Sequence, residues 1–175
     1  MKLLNNLLPE LILRTMPFNP SSRNTVTVLI PAYQAGGFVL ETLDSLARQS
    51  FQDYRLIISV DLSEDATVDH IKKWVKRNKK IQTRVYVQDT RLGWVRNTNF
   101  LLGKVCSPYF MILPHDDLLG EHYLQKAFDI LHQNTEASAV YSDIETFGLF
   151  RFVISQSSIK GNRMQRVIDF LSNYF

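Results

Sequence analysis

Between Thr25 and Leu131 four short apolar runs alternate with four longer stretches whose apolar residues recur at helical spacing. The runs are Val26 to Ile30, Tyr54 to Val60, Arg84 to Gln88 and Tyr109 to Leu113. Each is too short for a helix and rich enough in branched or aromatic residues for a strand. The stretches between carry one apolar stripe each: Val39, Leu43, Leu46 and Ala47; Val68, Ile71 and Val75; Thr98, Leu101, Leu102 and Val105; and Leu124, Ala127, Phe128 and Leu131. A strand, a short connection and an amphipathic helix, repeated, specify an α/β fold. The sheet is then mostly parallel, covered by helices and joined by right-handed crossovers.

The fourth strand carries the most unusual ending. Tyr109 to Leu113 holds no charge and reads as buried on both faces, yet Pro114 stops it and delivers His115, Asp116 and Asp117 in a row. Two adjacent carboxylates raise each other's pKa unless a cation or hydrogen-bond donors neutralise them. In open α/β sheets the carboxyl ends of the strands are where ligands bind. The residues therefore point to a site for a hard cation and phosphate. Asp61 and Asp143 also follow apolar strands, and each reads equally as a site residue or as a cap or turn former.

At 175 residues the chain has room for one domain and a fraction. The pattern divides it into an N-terminal helix and linker (1–24), a core (25–146) and the start of a further region (147–175). Met1 to Arg14 is apolar but broken by Asn5, Asn6 and Pro9, which favours a short packing or membrane-leaning helix over a cleaved signal. Thr15 to Asn24, with Pro17 and Pro20, reads as a linker. Ser138 to Ser142 and Phe147 to Ile154 are expected strands, and Met164, Val167, Ile168 and Leu171 mark a last helix. No apolar run approaches the roughly 20 residues of a membrane-spanning helix. A single cysteine, Cys106, fits a reducing compartment, so a cytoplasmic location is expected. The net charge of +3 is too small to argue for nucleic acid, and no nucleic-acid-binding signature appears. Lys72, Lys73, Lys76, Arg77, Lys79 and Lys80 form a basic run. It reads either as a solvated helix face matched to the helix dipole or as a contact for anionic lipid at the inner face of the membrane.

Several nucleotide motifs are excluded. The first strand leads into PAYQAGG rather than G-x-G-x-x-G, and no G-x-x-x-x-G-K-[ST] occurs. No G-x-S-x-G elbow is present. A phosphoacceptor receiver needs an acid where Pro31, Ala32 and Tyr33 stand.

Four stretches in order resemble the nucleotide-binding part of family 2 glycosyltransferases. Val26 to Leu46, VTVLIPAYQAGGFVLETLDSL, is similar to the family's opening strand, turn and helix. Leu56 to Thr67, LIISVDLSEDAT, is similar to v-D-D-x-S-x-D-x-T. Arg91 to Asn99, RLGWVRNTN, is similar to N-x-G-x-x-x-x-R-N with compressed spacing. Ile112 to Leu119, ILPHDDLL, stands where the family has D-x-D. Three positions depart: Val60 and Pro114 replace the first acids of their motifs, and Arg91 replaces an asparagine.

The resemblance implies a GT-A fold, an α/β/α sandwich that is incomplete at its C-terminus. It implies a nucleotide-diphosphate sugar donor, UDP-linked, and a saccharide or lipid-linked acceptor. Pro31, Ala32 and Tyr33 are expected against the base, Asp61 at the base or ribose, and Arg96 near the base or phosphates. Asp116 is the expected metal ligand for Mn²⁺ or Mg²⁺ and a nucleotide contact, with Asp117 beside it and His115 as a further candidate ligand. No residue matches the family's general base, which the resemblance places beyond Phe175. The alternative reading is a nucleotide-sugar-binding module without turnover, or a part that assembles with another chain, including a second copy of itself.

Overall fold

The computed structural model describes residues 12–14, 25–148 and 151–155. It divides into two compact units, Met1–Val140 and Tyr141–Phe175. In the first unit the described elements are β1 (Ile12–Arg14), β2 (Val26–Ala32), α1 (Val39–Ala47), β3 (Tyr54–Val60), α2 (Thr67–Arg77), β4 (Gln82–Val87), α3 (Gly93–Leu102), β5 (Tyr109–Ile112), α4 (Tyr123–Gln133) and β6 (Ala139–Val140). The second contains an antiparallel pair, β7 (Ile144–Glu145) and β8 (Val153–Ile154), in which Ile144 faces Ile154.

Six strands form one sheet in the order β4-β3-β2-β5-β1-β6. The first four neighbours are mutually parallel, as the strand–helix alternation requires. Their register puts residues of like parity side by side: Val28 beside Leu56 and Met111, Leu29 beside Ile57 and Ile112. Because side chains alternate across a strand, parity decides which helix each residue meets.

Val26, Val28, Ile30 and Ala32 of β2, with Leu56, Ile58 and Val60 of β3 and Met111 of β5, pack on Leu43 and Leu46 of α1, Ile71 and Trp74 of α2, and Leu124 and Leu131 of α4. On the other face Leu29, Ile57, Phe110 and Ile112 pack on Leu101 and Leu102 of α3. Each fully buried leucine or isoleucine contributes about 1.5–3 kcal/mol, and the sheet has such residues on both sides. That explains why β2 shows no polar–apolar alternation.

Aromatic contacts seat α4: Phe128 lies 5.1 Å from Phe51 and 5.7 Å, edge-on, from Tyr109. Tyr54 is buried at the start of β3 and donates its hydroxyl to the Leu46 carbonyl at 2.8 Å. Burial pushes its pKa up to about 12.

Four expectations change. Ile12–Arg14 is strand, antiparallel to both β5 and β6, where the N-terminal pattern predicts helix. A three-residue segment has no period to read, and pairing with two neighbouring strands decides its conformation. The rest of Met1 to Asn24 lies outside the described residues. The strand expected over Ser138 to Ser142 is reduced to Ala139–Val140, which is all that pairs with β1. Within Phe147 to Ile154, of the described residues, only Val153–Ile154 is strand. Helix α3 ends at Leu102, so Val105 packs from the turn beyond it. The helix expected around Met164 to Leu171 lies outside the described residues.

Candidate functional site

The parallel strands β2, β3 and β5 deliver three loops to their common carboxyl edge. Pro31 and Ala32, expected in a turn, are the last residues of β2, and with Tyr33 beyond them lie where the loops meet. The Pro31 carbonyl lies 3.3 Å from Nδ1 of His115, the residue that follows β5 and Pro114. The Ala32 carbonyl accepts the Asp61 backbone N–H at 2.8 Å. The Tyr33 ring carries the Arg91 guanidinium over its face, 3.4 Å from the centroid. The end of β2 and Tyr33 thus touch the loops after β3, β4 and β5.

Asp61 is buried, at 2% exposure. Its Oδ1 accepts the backbone N–H groups of Leu62 at 3.0 Å and Leu92 at 2.7 Å, and its Oδ2 accepts Gly93 N–H at 2.8 Å. The Arg91 Nε stands 3.5 Å from Oδ2. Leu92 and Gly93 open α3, whose first N–H groups have no partner within the helix. A carboxylate on the neighbouring strand therefore caps this helix and favours the positive end of its dipole. Gly93 has φ +74°, in the left-handed region where a side chain is strained, which accounts for glycine at this point of the motif. Asn97, buried at 2% exposure, donates from Nδ2 to the Ser59 carbonyl at 3.0 Å and fastens the same helix to β3. Arg96 is exposed on α3 and makes no hydrogen bond or ion pair among the described residues.

The second acidic strand end is built differently. Asp116 is exposed and Asp117 half-buried. The Asp117 N–H turns back toward the Pro114 carbonyl at 3.4 Å. Burial first, and then the Asp116 carboxylate beside it, push the Asp117 carboxyl above its ordinary range, against an opposing pull from His115. The loop's backbone is held from α1: Thr42 donates its hydroxyl to the His115 carbonyl at 2.8 Å, and Leu119 N–H donates to the Ser45 hydroxyl at 3.2 Å. Gln49 donates to the Gly120 carbonyl at 2.8 Å and accepts Leu124 N–H at 3.0 Å. The two carboxylates stand on a rigid turn while their own oxygens stay open.

The residue types around that turn suit an oxygen-liganded divalent ion in part. Among the described residues no group of three or more His, Cys, Asp or Glu side chains gathers to hold a metal. Mg²⁺ and ions like it are commonly held by one or two carboxylates with substrate phosphates completing the shell. Asp116 and Asp117 supply that number.

Residues missed at the sequence level clamp the PAYQAGG loop. Ala35 N–H donates to the Thr67 hydroxyl at 2.7 Å, Gln34 N–H to the Ser63 hydroxyl at 3.1 Å, and Gly36 N–H to Asp65 Oδ2 at 2.8 Å. Asp65 also accepts the Thr67 N–H at 3.1 Å. Burial raises the Asp65 carboxyl, but the bonds from Thr67 and Gly36 outweigh it and hold the group below its ordinary range. Helix α2 starts at Thr67, and the Ser63 and Asp65 side chains just before it reach across to the neighbouring loop rather than capping their own helix alone. The signal was the D-x-S-x-D-x-T spacing itself, which places Ser63, Asp65 and Thr67 two apart.

A model of glycosyl transferase family 2 matches residues 27–172. The chain belongs to glycosyl transferase family 2. Among its relatives in this family is an uncharacterized glycosyltransferase of Haemophilus influenzae, 27% identical over 120 residues, which cover 69% of this chain and 36% of the relative. The chain thus spans about a third of that protein's length. Two solved structures show the fold. Staphylococcus aureus TarS, crystallised with UDP-GlcNAc, is 24% identical with a TM-score of 0.57, over 62% of this chain and 31% of that one. A mannosyltransferase from Pyrobaculum calidifontis, in complex with GDP-Man and Mn²⁺, is 21% identical with a TM-score of 0.59, over 67% and 35%. The central sheet and its helices are therefore those of the GT-A family 2 fold.

Proposed function

We propose that this chain carries the donor-binding half of a family 2 glycosyltransferase. It binds a nucleotide-diphosphate sugar, UDP-linked, and serves transfer of the sugar to a saccharide or lipid-linked acceptor with inversion at the anomeric carbon. The observation that carries this reading is the convergence of three strand ends on Pro31, Ala32 and Tyr33, with Asp61 on one side and His115, Asp116 and Asp117 on the other. The bound UDP-GlcNAc and GDP-Man of the two solved relatives support a nucleotide sugar as ligand.

In this reading Tyr33 offers its ring to the base and Asp61 a carboxylate to an N–H or hydroxyl of the nucleoside. Arg96, exposed one turn into α3, serves the phosphates. Asp116 and Asp117 would hold Mn²⁺ or Mg²⁺. The ion supplies charge stabilisation for the diphosphate as it leaves. His115 keeps Nδ1 toward the Pro31 carbonyl, a hydrogen bond that fixes its ring.

Thermal unfolding with UDP and GDP, with and without Mn²⁺, tests the reading. A ligand at 100 times its Kd stabilises the folded state by about 2.7 kcal/mol. A melting shift with UDP that requires Mn²⁺ is the expected result. No shift with either nucleotide would overturn the donor site. Donor hydrolysis above background separates an enzyme from a binding module without turnover.

A second surface favours a peripheral membrane contact. Lys72, Lys73, Lys76, Arg77, Lys79 and Lys80 are all exposed, and none is in an ion pair among the described residues. The apolar face of α2 is occupied by packing through Ile71 and Trp74, so this contact is electrostatic, at about 1 kcal/mol per cation. No helix among the described residues is long and apolar enough to cross a membrane. Co-sedimentation with vesicles containing anionic lipid should be lost as salt is raised. Equal binding to neutral vesicles would overturn it.

A further inference from the structure

We propose that Arg91 is a built-in occupant of the base position, which the nucleotide must displace before it binds. The inference rests on the donor reading above and adds a gate to it. A nucleotide base at this turn would use two features, a flat face against Tyr33 and an N–H toward Asp61. Arg91 already satisfies both. Its planar guanidinium lies 3.4 Å above the Tyr33 centroid, and its Nε stands 3.5 Å from Asp61 Oδ2. A guanidinium is a close chemical stand-in for the edge of a base: planar, delocalised and studded with N–H donors.

Two further facts make this a displaceable occupant rather than a structural strut. Arg91 is 55% exposed, and these are its two contacts among the described residues. Asp61, in contrast, remains held by the N–H groups of Leu62, Leu92 and Gly93 when Arg91 leaves. The subsite is therefore formed behind the arginine and does not need it. The backbone of Leu92 and Gly93, fixed by Asp61, keeps Arg91 tethered one residue from the site, so the side chain swings rather than the loop. Arginine stands here in place of the asparagine of the matching motif, so the gate belongs to this chain rather than to the family pattern.

The test uses the whole chain and compares wild type with Arg91→Ala and Arg91→Lys by titration calorimetry. Uridine and guanosine are the probes for the base, and UDP and GDP with Mn²⁺ for the full nucleotide. Uncharged nucleosides matter here because they remove any direct attraction between Arg91 and phosphate. The expected result is nucleoside binding about tenfold tighter in Arg91→Ala, from loss of a competing stack and ion pair. Arg91→Lys, which keeps the charge without the plane, should fall between. Raising salt should strengthen nucleoside binding to wild type, by screening the Arg91–Asp61 pair, and leave Arg91→Ala unchanged. If wild type binds UDP but Arg91→Ala binds nucleosides equally or more weakly, the gate is overturned and the donor site stands. If no protein binds any nucleotide or nucleoside, the donor reading falls and the gate with it.

Discussion

The sheet ends in two acidic sites that share an edge and obey opposite rules. Asp61 is buried and held: three backbone N–H groups address its two oxygens, with Arg91 as a further, displaceable partner. Asp116 is exposed and Asp117 half-buried, and among the described residues neither is in an ion pair. The first carboxylate stabilises the fold it sits in. Asp117 costs the fold something, and the pair gains its partner only from outside. A carboxylate fixed by three backbone N–H groups holds structure whether its remaining partner is Arg91 or a ligand. One whose carboxyl is pushed up by burial and then by a like neighbour is poised for a ligand.

The sharpest break of this comparison is Asp61→Ala. It leaves the half-buried Leu92 and Gly93 N–H groups at a helix start without an acceptor, and should cost about 2–3 kcal/mol in urea unfolding. A loss below 1 kcal/mol would mean the carboxylate is not structural. Next is Gly36→Ala. A Cβ there would lie 2.8 Å from Asp65 Oδ2, so the clamp on the PAYQAGG loop must shift, at about 1–3 kcal/mol. An unchanged melting temperature would show that the Asp65 carboxylate moves freely.

Asp116→Ala should do the reverse of Asp61→Ala. Stability should hold while the Mn²⁺-dependent part of UDP binding falls by tenfold or more, about 1.4 kcal/mol. Undiminished Mn²⁺ dependence would remove the residue from the metal site. The smallest effect is expected from Asp117→Asn. The folded-state pKa of Asp117 is raised, so folding is favoured while the group stays protonated. That advantage is complete below the unfolded carboxylate value and is lost as pH rises through the raised folded value. The asparagine variant should therefore be more stable than wild type at pH 7, by less than about 1 kcal/mol given solvent screening. The difference should vanish toward pH 3. A variant that is less stable at pH 7 would show Asp117 to be held by bonds of its own.

These contrasts explain what could and could not be read along the chain. The central strands β2, β3 and β5 and the four helices were legible because both faces of the sheet are covered there, leaving apolar runs beside clear 3.6-residue stripes. Strand β4, in contrast, lies at the sheet edge with no buried residue and was read only in part, from Arg84. The carboxyl-edge acids were legible for the same reason, since charge directly after a buried strand is conspicuous. Which acid holds structure and which is open was not legible, because the difference lies in partners 31 and 32 residues away. Asn97 lies outside the apolar stripe read for α3, and its bond to Ser59 spans 38 residues. The Arg91–Tyr33 stack joins two motifs whose order in the chain says nothing of their contact. Strand β1 escaped for a related reason: it is short, and its partners lie near the far end of the first unit.

That last strand bears on how the protein should be handled. Every recognisable motif begins at Val26, which invites trimming the chain just before it. Yet Ile12 pairs with Met111 on one side and Val140 on the other. Removing it would strip the hydrogen-bonded cover from β5 and leave β6 without its sheet partner. A bare flank on an apolar strand such as YFMI is a template for intermolecular pairing. A preparation trimmed at Thr25 should keep its nucleotide motifs and yet associate or precipitate as its concentration rises.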